Sequence, residues 1–513
     1  SHPPHCPPAP LPSLVVLLHR ADYISGLDST RLLATAAIII AEHLRSAIIP
    51  KGIAPMSQTS RDTSRRATRR EFLKQSGCAA VATSLVAGAV VPRVFAADNG
   101  TIQVALVGCG GRGSGAAVNA LATTSGPIKL VAMADVFAQR LAASLDGIRN
   151  EYPHQVDVPQ ERQFIGFDAY RHAMDCLNPG DVVILTSPCA FRNVHFAYAI
   201  EKGLHVFMEK PTTVDGPGTR RMLELAELAE KKNLKVGVGL MCRHCAARWE
   251  LLDQIQSGRI GDIMYMKTYR LVTPAGFCGP KPPDMSELLY QVRNYLSFMW
   301  ASGGLVHDFT SHNIDECCWM KGSWPVRAEG MGGRYYRDSA VDQNMDHYSV
   351  EYTFADGTNL FVSARNMEGC HGRFASYAHG TKGSAIISTF MHTPAECRIF
   401  DGHNFDNDKL VWSASKPEPN PYQLEWDHLI DAIRNDKPFS EAKRGAEASL
   451  VQIMGRMAVN TGRIITWEEA LNHEQEFAPG LDQLTMDSPA PLPVGPDGLY
   501  PFPQPGVITD REY

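Results

Sequence analysis

A short apolar run, Ile102 to Val107, leads straight into Gly108-Cys109-Gly110-Gly111-Arg112-Gly113. No other stretch constrains the fold as tightly, because each glycine of a GxGxxG answers a different steric demand. Gly108 permits the tight turn off a strand, Gly110 lets a pyrophosphate approach the backbone, and Gly113 allows close packing of helix on strand. The helix expected over 114–123 offers its N-terminal amides and positive dipole end to the phosphates. A lone fingerprint is weak evidence, but this one stands between a strand and a helix, as dinucleotide binding requires.

The following residues extend the pattern. Short β-branched runs alternate with helical stretches from Ile102 to Leu240, which predicts a parallel sheet wrapped by helices. The second run, 129–134, ends at Asp135, about 20 residues beyond the glycines, where a carboxylate accepts from both ribose hydroxyls and repels a 2′-phosphate. NAD is therefore favoured over NADP, although Arg140 stands close enough to accommodate a phosphate. A buried strand over 181–185 opens into Thr186-Ser187-Pro188. A helix over 190–202 stops at Gly203, a C-terminal cap. A strand over 204–208 ends in Glu209-Lys210-Pro211. Ligands of open parallel sheets lie beyond the carboxyl ends of the strands. The expected cofactor set is thus Gly108, Gly110, Gly111, Arg112, Gly113, Asp135, Thr186, Ser187, Pro188, Glu209 and Lys210.

Ahead of this domain stands a leader. A basic start from Arg61 to Lys74 contains the twin-arginine motif Thr68-Arg69-Arg70-Glu71-Phe72-Leu73-Lys74. An apolar stretch over 78–91 follows, then a small-residue cleavage site, Val94-Phe95-Ala96. That stretch falls short of the roughly 20 residues that span a bilayer, so no stable membrane span is expected. Signals of this type are read by the twin-arginine translocase, which carries folded proteins. The expectation is a periplasmic protein loaded with its cofactor in the cytoplasm. Residues 56–96 read as the signal peptide, and 1–55, upstream of the first methionine Met56, as an untranslated or removed extension.

Beyond Ala96 the chain holds 38 Lys/Arg against 50 Asp/Glu, a net charge of −12, which argues against nucleic acid as a partner. Ten cysteines lie there without the spacing of a disulfide framework. Cys242-Arg243-His244-Cys245 is half of a zinc pattern with no second half, so no metal is expected.

Together, the glycine turn, Asp135, Thr186-Ser187-Pro188 and Glu209-Lys210-Pro211 resemble the Gfo/Idh/MocA oxidoreductases, relatives of glucose–fructose oxidoreductase and inositol dehydrogenase. The resemblance covers about 100–470. Tyr265-Met266-Lys267 and Trp467-Glu468-Glu469-Ala470 are similar to an exported subgroup common in planctomycete-type bacteria. The implied fold is α/β: an N-terminal Rossmann doubly wound parallel sheet (97–240), then a C-terminal α+β domain with an open, mainly antiparallel sheet (241–480). The residues agree independently. A helix over 246–256 precedes apolar-alternating runs over 348–354 and 359–364, joined by the turn Ala355-Asp356-Gly357-Thr358. A similar unit surrounds Gly380-Thr381-Lys382-Gly383, and helices follow over 424–434 and 446–460. The proline-rich 481–513 is expected to wrap as an arm.

The resemblance also implies a chemistry. Gly303 to His312 matches the family's catalytic helix, where Asp308 and His312, four residues apart, share one face. His312 would take the carbinol proton, Asp308 would fix its tautomer, and Lys210 would stabilise the developing alkoxide. His307 and Asp315 compete for these roles, and the cofactor's ribose competes for Lys210. The exported subgroup often carries Glu-Gln where this chain has His307-Asp308, a departure towards the dehydrogenase arrangement.

The expected activity is hydride transfer between a sugar or polyol carbinol and NAD that stays bound, because the periplasm supplies no free nicotinamide pool. The alternatives are a glycoside hydrolase working by oxidation, elimination, hydration and reduction, with Tyr290, Tyr295, His307 and His312 as acid/base candidates, and a sugar-binding protein that kept the fold. A homodimer or homotetramer through the open sheet is implied by the family.

Overall fold

The computed structural model describes residues 100–335 and 340–513. The twin-arginine motif, its apolar stretch, the cleavage site at Ala96 and the extension 1–55 lie outside the described residues.

Six parallel strands, β1 (Ile102–Val107), β2 (Ile128–Asp135), β3 (Gln163–Ile165), β4 (Val182–Leu185), β5 (His205–Met208) and β6 (Val236–Val238), form one sheet in the order β3-β2-β1-β4-β5-β6. Every residue of Val182-Val183-Ile184-Leu185 is buried, as expected of a parallel strand covered on both faces by helices. The strand order reverses between β1 and β4, and the loops that leave these two strands frame the crevice where such sheets bind ligands.

The helix after the glycine turn, α1 (Gly111–Leu121), starts three residues earlier than expected. Gly110 is extended and caps it, and the Ser114 amide already donates to the Gly110 carbonyl at 2.9 Å. The helical N-terminus therefore belongs to the glycine turn itself. Helix α2 (Arg192–Lys202) ends at Gly203, left-handed at φ 71°, as the sequence predicted.

The second sheet has nine strands: β7 (Ile263–Val272), β8 (Arg327–Gly333), β9 (His347–Thr353), β10 (Asn359–Asn366), β11 (Arg373–Gly380), β12 (Gly383–Thr389), β13 (Arg398–Asp401), β14 (Leu410–Ser413) and β15 (Ile465–Thr466). Their order is β14-β13-β12-β11-β7-β10-β9-β8-β15. All neighbours are antiparallel except β7 and β10. The hairpins at Gly357 and at Thr381-Lys382 stand where the turn residues placed them.

Along β7, Met266 and Thr268 are fully buried, so the even positions face the helices. Those helices include α3 (Ala246–Gln256), α4 (Leu305–Phe309), α5 (Ser311–Lys321) and α7 (Ala442–Thr461), whereas α6 (Pro421–Arg434) packs on the first sheet, its Trp426 stacked on Phe207 at 4.6 Å. Residues 484–513 form no helix or strand. Leu492 and Tyr500 are nevertheless buried, the latter edge-on to Phe298 at 4.8 Å, and Glu512 pairs with buried Arg456 at 2.8 Å. Among the described residues, no helix is long and apolar enough to cross a membrane.

Candidate active site

A cavity of about 830 Å³ opens beyond the carboxyl ends of the first sheet and is walled on its far side by the second domain. One end is made by the glycine turn. Gly108 has φ +96°, and a Cβ there would lie 2.5 Å from the Ser187 amide. A Cβ on Gly113 would collide with the Gly108 carbonyl and lie 2.5 Å from Thr186 Oγ1. These two glycines are demanded by the protein's own packing. Gly110 and Gly111 differ, because a Cβ on either would meet nothing within 4 Å. Open space above an extended backbone at a helix N-terminus suits a pyrophosphate, so the residues present fit a dinucleotide.

Asp135 Oδ2 accepts from the Cys109 amide at 2.7 Å and Oδ1 from the Phe137 amide at 2.8 Å. Each oxygen keeps a second lone pair for a ribose hydroxyl. Arg140 stacks over Phe137 and donates to the Arg293 carbonyl at 3.3 Å. Thr186 Oγ1 donates to the Gly108 carbonyl at 2.6 Å, tying the loop after β4 to the turn after β1. Ser187 Oγ bonds His195 Nδ1 at 3.1 Å, and Pro188 leads the chain towards α2 along the cavity wall. Glu209 lines the cavity, and its Oε1 holds Arg112 Nε at 2.5 Å. The same guanidinium approaches Glu425 at 3.6 Å and lies over the Tyr422 ring at 4.8 Å. Burial and Glu209 together push the Glu425 carboxyl well above its ordinary range, against the pull of Arg112.

At the other end stand Lys210, Asp308 and His312, all lining the cavity. The helix expected over 303–312 is broken at Thr310, between α4 and α5. In an unbroken helix the Asp308 carbonyl would accept from the His312 amide. Here it receives Lys210 Nζ at 2.8 Å, with Asp308 Oδ1 3.6 Å from the same nitrogen. Asp308 therefore partners the lysine, a correction to the expected aspartate–histidine pair. His312 is 5% exposed and lies edge-on to His392 at 4.3 Å. Its Nδ1 is closed off without a hydrogen-bond partner, which leaves Nε2 to face the cavity. Burial first, then Lys210 and Arg270, hold its pKa well below the usual imidazole value. It is a neutral base.

The rivals fall away on geometry. His307 Nε2 donates to the Thr213 carbonyl at 2.9 Å, and Asp315 holds Arg243 through two bonds of 2.7 and 2.8 Å; neither lines the cavity. Tyr290 donates to the Gly279 carbonyl, also away from it. Tyr295 does line it, with its phenol pushed up by burial and by Asp308. Cys242 and Cys245 are buried free thiols.

Sequence reasoning missed Arg192, Arg270, His392 and Tyr422. Arg192, fully buried, donates to the Leu185 and Ser187 carbonyls at 2.6 and 2.9 Å and so shapes the loop after β4; burial lowers it to about 10. Arg270 had a legible signal, because it follows Met266 and Thr268 on the core face of a strand. His392 and Tyr422 had none, since only the tertiary fold brings them in.

Fold and cavity together define a two-domain NAD-dependent oxidoreductase. Residues 102–240 match the oxidoreductase family with an NAD-binding Rossmann fold known as Gfo/Idh/MocA. The chain is 25% identical over 267 residues to scyllo-inositol 2-dehydrogenase (NAD(+)) of Bacillus subtilis, covering 51% of this chain and 70% of that one. It is 31% identical over 166 residues to the inositol 2-dehydrogenase of Salmonella paratyphi B, covering 31% of this chain and 43% of that one. In fold it is similar to the aldose-aldose oxidoreductase of Caulobacter crescentus (TM-score 0.55, 16% identity, 71% of this chain and 99% of that one). It is likewise similar to the scyllo-inositol dehydrogenase of Lactobacillus casei with bound NAD(H) and scyllo-inositol (TM-score 0.52, 20% identity, 72% and 99%).

Proposed function

We propose that the chain oxidises a secondary alcohol of a sugar or polyol and later returns the hydride to a second carbonyl, with NAD held throughout. One observation carries this reading: Lys210 and His312 meet the glycine turn in a single cavity. Bound NAD would supply the hydride acceptor. The chain's residues supply the rest. His312 takes the carbinol proton on Nε2. Lys210, oriented by the Asp308 carbonyl and carboxylate, donates to the carbinol oxygen and steadies the alkoxide. Asp135 favours NAD over NADP. The Bacillus and Lactobacillus relatives are inositol dehydrogenases and the Caulobacter one acts on aldoses, which supports a polyhydroxylated substrate.

The twin-arginine motif supports export to the periplasm by the translocase after folding, and retention of NAD follows from that route. Assembly as a homodimer or homotetramer through the open sheet is part of the same proposal. Tyr295 keeps a second reading open, because a phenol in the cavity is the acid/base that a redox-cycle glycoside hydrolase needs. The test is incubation of the NAD-loaded protein with sugars, polyols and aryl glycosides. Lasting reduced-nicotinamide absorbance that a second carbonyl discharges is expected. Aglycone release without net reduction overturns the oxidoreductase in favour of the hydrolase.

A further inference from the structure

Arg270 is a cavity residue that no carboxylate pairs with among the described residues, Asp308 acting on it only from a distance. It sits on the core face of β7, in line with buried Met266 and Thr268, where a charged side chain is costly unless it has a partner. Phe374, directly opposite on β11, lies 3.9 Å beneath the guanidinium, and Phe309 of α4 flanks it at 5.3 Å. The aromatic rings hold the plane of the fork in one orientation. Nε and Nη1 are shielded from water and lack hydrogen-bond partners, and no carboxylate pairs with this arginine among the described residues. Arg112, Lys210 and the buried Arg243, Arg248 and Arg456 all pair with carboxylates.

The balance of charge around it points the same way. At this end of the cavity Lys210 and Arg270 face a single carboxylate, Asp308. His312 and His392 add no charge, since burial holds both imidazoles neutral. A net positive pocket wall, with a flat and preorganised guanidinium at its edge, matches a planar monoanion.

We propose that the substrate is a sugar acid, an aldonate or uronate, whose carboxylate Arg270 holds while a ring or chain hydroxyl reaches His312 and Lys210. This rests on the oxidoreductase reading for the reacting hydroxyl but not for the carboxylate. An anion beside Arg270 also offsets the positive field against which His312 must take its proton.

The test uses NAD-loaded wild type, Arg270→Gln and Arg270→Lys. Glucuronate is compared with glucose, and gluconate with glucitol, by calorimetric titration and by hydride transfer; glucose 6-phosphate serves as the non-planar anion. Wild type is expected to bind each acid about 10- to 100-fold more tightly than its neutral partner. The Gln variant should lose that preference, more through KM than kcat, and the Lys variant should regain part of it. NAD affinity equal to that of wild type shows that each variant is folded. Equal binding of acids and neutral sugars, a preference that survives in Arg270→Gln, or tighter binding of the phosphate than of the uronate overturns the proposal. Arg270-dependent binding of acids without hydride transfer supports the carboxylate site and defeats only the oxidoreductase reading.

Discussion

The two ends of the cavity are built on opposite terms. At the glycine turn the protein has answered its own polar groups: both Asp135 oxygens accept backbone amides, and the Thr186 hydroxyl is spent on the Gly108 carbonyl. At the far end Arg270 Nε and Nη1 and His312 Nδ1 are closed off without partners. The first end is held in shape by the protein's own bonds before any ligand arrives, with open space above Gly110 and Gly111 left for a pyrophosphate. The second holds a cation, Arg270, with no paired carboxylate among the described residues, and its charge gains a partner only when something else enters. A fixed nucleotide seat and an unfinished substrate seat suit a protein that holds one ligand and exchanges another.

If the ends are separable, His312→Ala should lower kcat by about 10²- to 10⁴-fold, the largest effect expected, while NAD titration of the variant matches wild type. An equal loss of NAD affinity would join the two ends and break the comparison. The turn is tested by Gly113→Ala. Its Cβ would collide with the Gly108 carbonyl and crowd Thr186, so we expect a loss of about 1–3 kcal/mol in thermal or denaturant unfolding, with weaker NAD binding. Gly110→Ala meets no such obstacle in the protein. It should leave stability unchanged and weaken only NAD, which an unfolding curve beside a titration reads directly.

The same contrast explains what was legible in the sequence. The nucleotide end is local: a strand, a turn and a helix in consecutive residues, whose steric requirements leave glycines and an aspartate as marks. The parallel order of the first sheet and the hairpins of the second followed from periodicity and turn residues. The substrate end is not local. Lys210, Arg270, Tyr295, Asp308 with His312, His392 and Tyr422 come from six places in the chain. Even the expected Asp308–His312 pair failed, although its spacing was right. Spacing assumed an unbroken helix, and Lys210, about 100 residues away, takes the carbonyl that would have continued it. The ion pair of Glu209 with Arg112, 97 residues apart, was likewise beyond what spacing announces.

Asp135 sits where the ends can be compared for charge alone. Asp135→Asn keeps the shape but removes the charge that repels a 2′-phosphate. NAD should weaken about tenfold and the NADP-to-NAD affinity ratio should rise, as measured by competitive titration. An unchanged ratio would give cofactor choice to Arg140 instead.

The smallest effect sharpens the comparison most, because it reads the substrate end before any substrate binds. His312 works as a base only when neutral, and burial, with Lys210 and Arg270 nearby, holds its pKa well below 6.5. A lowered pKa keeps the imidazole neutral to lower pH, so the acid limb of kcat/KM, which reports the free enzyme, should fall below pH 6.5. Removing the Arg270 charge with Arg270→Gln weakens the repulsion of the imidazolium. The limb should then move upward towards the ordinary histidine value, while Asp135→Asn at the other end leaves it in place. A limb that ignores Arg270 would mean that burial alone sets the base, and that this arginine does not reach the reacting hydroxyl.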